Sequence, residues 1–176
     1  QKAEKYPFKV IKLGQRLSPA RVRNYGVKNS SGDILIFIDA DVVLKPDSIK
    51  EAIRLISQPE TDAVSGMYTQ YTPQLSFFSQ FQNLILTYRY EKVPRFIDIT
   101  CSFFCAIKKN AFEAIGGYNE KMLYYEDIEI GKRLTKLGYR CKFEPDLKVT
   151  HLKYYNHLSL IMDYFKKTAA VGLYLK

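Results

Sequence analysis

Asp39-Ala40-Asp41 directly follows the apolar run Ile34-Leu35-Ile36-Phe37-Ile38. Ligands of open α/β sheets bind in the crevice at the carboxyl ends of the strands, so acids at this position are candidates for chemistry. Two carboxylates one residue apart repel each other and lose hydration unless a cation lies between them, and a hard divalent ion such as Mg²⁺ or Mn²⁺ meets that need. A second acid pair, Glu126-Asp127, opens a helical segment, where the helix dipole favours negative charge and keeps Asp127 ionised near neutral pH. His151 closes a short strand. Brought to one rim of a sheet, these groups describe a site for metal-assisted group transfer. Each also has a structural alternative: a solvated turn for the D-x-D, a favourable first turn for the acid pair, and a hydrogen-bonded role for the histidine.

The elements that must position them alternate strand and helix. Residues 34–38 form a continuous apolar run introduced by Ser31-Gly32-Asp33, as in a central strand covered on both faces. Ser48 and Glu51 fit a capping box, with Ile49, Ala52, Ile53 and Ile56 on one face of a helix ending near Pro59. Residues 63–71 read as a strand. Leu75 to about Tyr90 reads as a helix whose Leu75, Phe78, Phe81, Ile85 and Tyr88 share a face, assigned to core packing first and to an acceptor groove second. Thr100 to Ile107 is a third buried strand, Asn110 to Ile115 a short helix stopped by Gly116-Gly117, and Glu126 to Leu137 a helix with Ile130, Leu134 and Leu137 inward. Two short strands follow around Cys141 and Val149. The tail, residues 157–176, is an amphipathic helix that packs on the domain or lies on a membrane surface, packing being preferred. The pattern predicts an α/β domain with a mainly parallel central sheet flanked by helices.

At 176 residues the chain is one domain long, with 47% apolar and 26% charged residues, which excludes disordered and disulfide-dense classes. Lys and Arg outnumber Asp and Glu by 27 to 18, so the field attracts anions: nucleotide phosphates, anionic headgroups or nucleic acid. No nucleic-acid-binding pattern is present, and no nucleic acid partner is expected. Cys101, Cys105 and Cys141 lack metal or redox spacing and lie in apolar segments, which suits reduced thiols in a cytoplasmic protein.

Pro19-Ala20-Arg21-Val22-Arg23-Asn24-Tyr25-Gly26, Ser31-Gly32-Asp33 and Phe37-Ile38-Asp39-Ala40-Asp41 resemble the A-R-N-x-G, G-D and F-x-D-x-D core of family 2 glycosyltransferases. Downstream, Ala111-Phe112, Gly116-Gly117-Tyr118-Asn119-Glu120, Glu126-Asp127, Arg133-Leu134, Gly138-Tyr139 and His151 are similar to that family's later series, in order and spacing, over roughly residues 9–155. The resemblance implies a GT-A-like nucleotide-diphospho-sugar transferase fold and an inverting, metal-dependent transfer from a nucleotide-diphosphate sugar to a glycan, lipid-linked or other hydroxyl acceptor. It implies that Asp39 and Asp41 hold the donor diphosphate through Mn²⁺ or Mg²⁺, Asp41 more directly, with His151 on the same ion. It further implies that Asp127 is the catalytic base, that Glu126 shapes the acceptor side, and that Arg23 lines the nucleotide pocket. The family opens with a strand-helix-strand unit ending in a D-D-x-S-x-D-like segment that reads the nucleobase. Nothing before Lys9 resembles it, so residues 1–176 are expected to form a catalytic-domain fragment without that unit. Processive members carry Q-x-x-R-W; this chain has no Trp, which points to single additions in glycan or envelope polysaccharide synthesis, in the cytoplasm or at the inner face of the membrane.

Two other readings stay open at the level of sequence. Leu35 to Leu44 also satisfies the h-h-h-h-D-x-D-x-V/T-L signature of haloacid-dehalogenase-like phosphatases, with Asp39 as nucleophile and Asp41 as acid/base. A non-catalytic domain that binds a glycan or an anionic surface through its charge and aromatic residues is the other.

Overall fold

The computed structural model describes residues 6–174. Its elements are α1 (Pro19–Lys28), β1 (Ile34–Ile38), β2 (Val42–Leu44), α2 (Ser48–Ile56), β3 (Ala63–Tyr68), α3 (Phe77–Glu91), β4 (Phe96–Ile97), β5 (Phe104–Lys108), α4 (Lys109–Ala114), α5 (Glu126–Lys136), β6 (Cys141–His151) and α6 (His157–Tyr174). They form three layers. Leu35, Phe37, Cys105 and Ile107 face a core closed by Ala20, Phe112, Tyr118, Ile130 and Leu134 from the α1, α4 and α5 side. Val64, Phe104, Ala106 and Val149 face a second core closed by Ala52, Leu55 and Ile56 of α2, with Leu86 and Tyr90 of α3 against it.

The sheet runs β1-β5-β3-β6-β2, with β4 also on β6. Only β3 and β6 pair in parallel; β1–β5, β3–β5, β2–β6 and β4–β6 are antiparallel. The mainly parallel sheet expected from the strand-helix rhythm is therefore corrected to a mixed one. β1, β3 and β6 do point the same way, but β5 is inserted between β1 and β3 in the opposite sense. It enters at the end where β1 and β3 finish: Asp39 N–H donates to the Phe103 carbonyl over 3.3 Å, and Tyr68 stacks on Phe103 with ring centroids 4.0 Å apart. Helices between strands do not dictate a parallel crossover when the intervening chain runs back along the sheet.

Other expectations shift for physical reasons. β1, expected to be central and covered on both faces, is an edge strand with a partner on one side only: it buries Leu35 and Phe37 on one face, leaves Ile34 and Ile36 half-buried on the other and exposes Ile38, because an apolar run does not report the number of strand neighbours. The strand expected from Thr100 starts at Phe104, and the two short strands expected after Gly138 are one, β6. Ser48 lies inside α2, accepts from Lys45 N–H and leaves Asp47 at the N-cap, so there is no capping box; Ala52, Leu55 and Ile56 are buried while Ile49 and Ile53 are exposed. Leu137 is exposed past the end of α5. The face expected to be core at α3 is turned largely outward: Leu75, just before the helix, Phe81 and Tyr88 are exposed and Phe78 and Ile85 half-buried, whereas Ser79, Gln82, Asn83 and Thr87 are buried. Those polar groups are chosen for the inside by bonding: Asn83 Nδ2 donates to the Thr69 and Gln70 carbonyls, each at 2.8 Å, and Ser79 Oγ accepts from Tyr155 N–H at 2.7 Å. Unpaired backbone beyond the end of β3 outweighs the apolar stripe. α6 is helical as expected, and residues 175–176 of that expectation lie outside the described residues.

The β3–β6 pairing slips between Ser65 and Met67, where a Cβ on Gly66 would stand 2.2 Å from the Leu147 carbonyl oxygen. Gly66→Ala is therefore expected to lower the thermal midpoint by ~5–10 °C, the cost of a side chain forced against backbone. Gly32→Ala, whose Cβ meets nothing nearer than 3.6 Å, serves as the control and should shift it little. Calorimetric melts of the two variants check this.

Candidate active site

The carboxyl ends of β1, β3 and β6 and the approach to β5 meet in one cleft of about 490 Å³, lined among others by Asp39, Asp41, Tyr68, Ser102, Glu126, Asp127 and His151. Arg23, on α1, ties its two sides together. Nη2 donates to Asp39 Oδ1 at 2.8 Å and Nη1 to Glu126 Oε1 at 2.6 Å, with the Arg23 and Glu126 side chains only 15% and 9% exposed. A planar guanidinium with forked donors suits this two-sided role, which a lysine ammonium would not reproduce. Burial works against its charge, but Tyr118, Glu126 and Asp39 more than offset that and raise its pKa.

Neighbouring residues hold Arg23 in place. The next residue, Asn24, clamps the loop after α4: its Oδ1 accepts from Tyr118 N–H and its Nδ2 donates to the Tyr118 carbonyl, both at 2.9 Å. Gly116 and Gly117 have φ of 75° and 74°, and a Cβ on Gly117 would meet Asn24 Oδ1 at 2.8 Å, so the loop needs glycine for both conformation and space. From α5, Arg133 donates to the Ile115 and Gly117 carbonyls at 2.6 and 2.7 Å. The result presents the Tyr118 ring to Arg23, whose Cζ lies 5.5 Å from the ring centroid.

Asp127 sits at the start of α5, behind Tyr125, whose φ of 62° is left-handed. One carboxylate oxygen accepts from Ser102 Oγ at 3.2 Å and Ser102 N–H at 3.4 Å, and the other from Ile128 N–H at 2.9 Å. Burial, then the charge of Glu126, raises its pKa above the ordinary carboxylate value. A raised proton affinity in a cleft is what a general base requires. Gly131, one turn further on, sets the position of this helix: a Cβ there would stand 2.4 Å from Ile99 Cα, so α5 packs directly on the 99–100 backbone, and Thr100 N–H and Oγ1 reach the Asp127 carbonyl at 3.2 and 2.8 Å.

Asp41 and His151 face each other across the end of β6, with Oδ2 and Nε2 3.7 Å apart, and Val42 is the register partner of His151. Burial lowers the His151 pKa despite the opposing pull of Asp41, which favours the neutral imidazole able to ligate a metal. Its ring lies on Tyr68, centroids 4.7 Å apart. A cation with bonds of about 2.1 Å can bridge two donors at this separation, so the pair fits a divalent ion. No group of three or more ligating side chains capable of holding a metal occurs among the described residues, and Asp39 is engaged by Arg23. A bound ion would thus need oxygen ligands from the substrate, the usual arrangement for Mg²⁺-type sites that hold phosphates.

All six residues singled out in the sequence line or border this cleft. Ser102, Gly131 and Tyr125 were missed. A glycine inside a helix costs about 1 kcal/mol relative to alanine, so Gly131 within an otherwise regular helical pattern was itself a packing signal. Ser102 and the strained Tyr125 carry no comparable signal, since their roles depend on tertiary contacts.

Comparison with known proteins gives the same picture. The model of Glycosyl transferase family 2 matches residues 1–116. The pre-mycofactocin glycosyltransferase of Mycobacterium tuberculosis is 23% identical over 169 residues, covering 88% of this chain and 33% of its own length. Poly-beta-1,6-N-acetyl-D-glucosamine synthase of Staphylococcus aureus is 26% identical over 153 residues, covering 81% and 36%. The chain thus spans about a third of the length of these relatives. Among solved structures, the mannosyltransferase PcManGT from Pyrobaculum calidifontis, in complex with GDP-Man and Mn²⁺, superposes with a TM-score of 0.68 at 17% identity, over 93% of this chain and 49% of that one. S. aureus TarS in complex with UDP-GlcNAc gives 0.62 at 17% identity, over 90% and 47%. Both show a shared GT-A fold.

Two stability experiments follow. A carboxyl whose folded pKa is raised contributes stability below its unfolded pKa and loses it as pH rises through the folded value, so ionised Asp127 is a burden near neutrality. Metal-free Asp127→Asn is expected to melt ~2–4 °C above the wild type at neutral pH, the gap closing in acid. A variant that is less stable at neutral pH would contradict the burial account. Gly131→Ala should lower the midpoint by at least ~5 °C, because the added methyl meets backbone that cannot give.

Proposed function

The chain belongs to glycosyl transferase family 2, and from that membership we propose that its cleft performs an inverting, metal-dependent transfer of a sugar from a nucleoside-diphosphate donor to an acceptor hydroxyl. The observation that carries the proposal is the convergence of Asp39, Asp41, Glu126, Asp127 and His151 on one cleft under a single guanidinium. Known structures of this fold with GDP-Man or UDP-GlcNAc support the donor class.

Asp41 and His151 would hold the divalent ion, Mn²⁺ or Mg²⁺, which when bound offsets the charge of the donor diphosphate. Asp39 and Arg23 border the donor side. Asp127 takes the proton of the acceptor hydroxyl as that oxygen attacks the anomeric carbon; the new C–O bond forms opposite the departing diphosphate oxygen, so the configuration inverts. Ser102 orients the carboxylate, and Glu126, held by Arg23, shapes the acceptor side and raises the proton affinity of Asp127. Absence of tryptophan supports single additions, and three buried free cysteines suit a reducing, cytoplasmic setting. The phosphatase reading requires Asp39 as a free nucleophile, but Asp39 is bonded to Arg23, and that reading leaves the Asn24-clamped loop without a task.

In the full-length protein, Asp127→Asn is expected to retain metal-dependent binding of a nucleoside diphosphate while transfer falls by roughly 10² to 10⁴-fold. Asp41→Asn should weaken that binding itself. Titration calorimetry and a radiolabelled transfer assay separate the two. Full transfer by Asp127→Asn would sink the mechanism.

A further inference from the structure

α3 and the neighbouring α6 each turn an apolar stripe outward. Phe77, Phe81, Leu84 and Tyr88 recur at helical spacing on α3, with Phe77 70% and Leu84 57% exposed; Leu158, Ile161, Met162 and Phe165 do the same on α6, with Ile161 63% and Phe165 68% exposed. The helices are neighbours: Tyr164 OH donates to Gln82 Oε1 at 2.7 Å, and the Phe78 and His157 rings lie 6.0 Å apart. Large apolar side chains exposed in this number on two adjacent helices mark an interaction face. Its border is basic. Lys92, the C-cap of α3, and Lys166 on α6 are exposed, whereas the acids nearby are engaged: Glu91 accepts from Gln70 Nε2 at 3.1 Å, and Asp163 is neutralised by Lys153 and Lys167 at 3.4 and 2.8 Å. No helix of the described residues is long and apolar enough to cross a membrane.

We infer that the outward faces of α3 and α6 form a docking platform for an anionic lipid surface, with both helices lying in the plane of the interface. Apolar side chains enter the headgroup boundary while Lys92 and Lys166 meet anionic headgroups, the two attractions that seat amphipathic helices. The opposite faces of the same helices, through Gln82, Leu86 and Arg89 of α3 and Tyr164, Lys167 and Thr168 of α6, wall the catalytic cleft. Docking therefore places the cleft mouth beside the lipid and favours an acceptor tethered to it. This acceptor class rests on the transferase reading; the docking itself does not.

The test uses the 176-residue chain and vesicles with roughly a third anionic lipid, against neutral vesicles. Co-sedimentation is expected with the anionic vesicles and much less with the neutral ones, and it should weaken with salt. The double variant Phe81→Ser/Phe165→Ser should lower partitioning by about tenfold or more, with metal-dependent nucleoside diphosphate binding unchanged. Because the chain has no Trp, Phe81→Trp supplies a single reporter whose emission should shift to the blue on anionic vesicles. An unshifted reporter, equal binding by the double variant, or a stripe that drives self-association or protein binding in place of vesicle binding would each overturn the inference. Loss of donor binding with vesicle binding intact would instead fault the transferase reading.

Discussion

Arg23 is the constraint on which the site depends. Its two carboxylate partners are Asp39, directly after β1, and Glu126, at the start of α5, and it is itself carried by α1. One guanidinium thus fixes three elements relative to one another. A buried ion pair is weak evidence for stability, since desolvation consumes most of the attraction, but removing one member leaves an uncompensated charge at a cost of about 3–5 kcal/mol. Arg23 accordingly specifies an arrangement more than it strengthens one. The Asn24 clamp, the double glycine and the Arg133 contacts to that loop's carbonyls all serve the placement of Tyr118 against it.

The charge balance of the cleft follows from this arrangement. Four carboxylates, Asp39, Asp41, Glu126 and Asp127, share the region, and Arg23 engages Asp39 and Glu126. Asp127 is left with hydroxyl and amide donors and a raised pKa, while Asp41 faces an imidazole kept neutral by burial. A site with this excess of negative charge favours a divalent ion and disfavours its own ionised state without one. The same burial that raises the Asp127 pKa reduces stability near neutral pH, a trade common to functional sites.

Much of the site was legible in the sequence because its groups sit in segments with strong local signals: Asp39 after a continuous apolar strand, Glu126-Asp127 at a helix start, Gly116-Gly117 at a helix stop. The strand directions were not legible. Nothing local to residues 92–103 states that β5 enters from the far end, and that reversal is recorded only in contacts such as Asp39 with Phe103. Hydrophobic periodicity likewise found α3 but chose the wrong inner face, because Asn83 and Ser79 earn their burial by bonding backbone that periodicity does not see. Ser18 before Pro19 was a readable start for α1, with Ser18 Oγ accepting from Arg21 N–H, yet without that helix Arg23 could be placed only by resemblance.

The central claim is that Asp41 and His151 bind the metal that accompanies a donor diphosphate while Arg23 holds the neighbouring acids aside. It is tested most directly by crystals grown with Mn²⁺ and a nucleoside diphosphate and measured for the anomalous signal of manganese. The account predicts one peak with the Asp41 carboxylate and His151 Nε2 both at about 2.0–2.5 Å, the range of such bonds, and with the Arg23 contacts to Asp39 and Glu126 retained. A manganese peak remote from these two side chains, with the nucleotide ordered in the cleft, would contradict it.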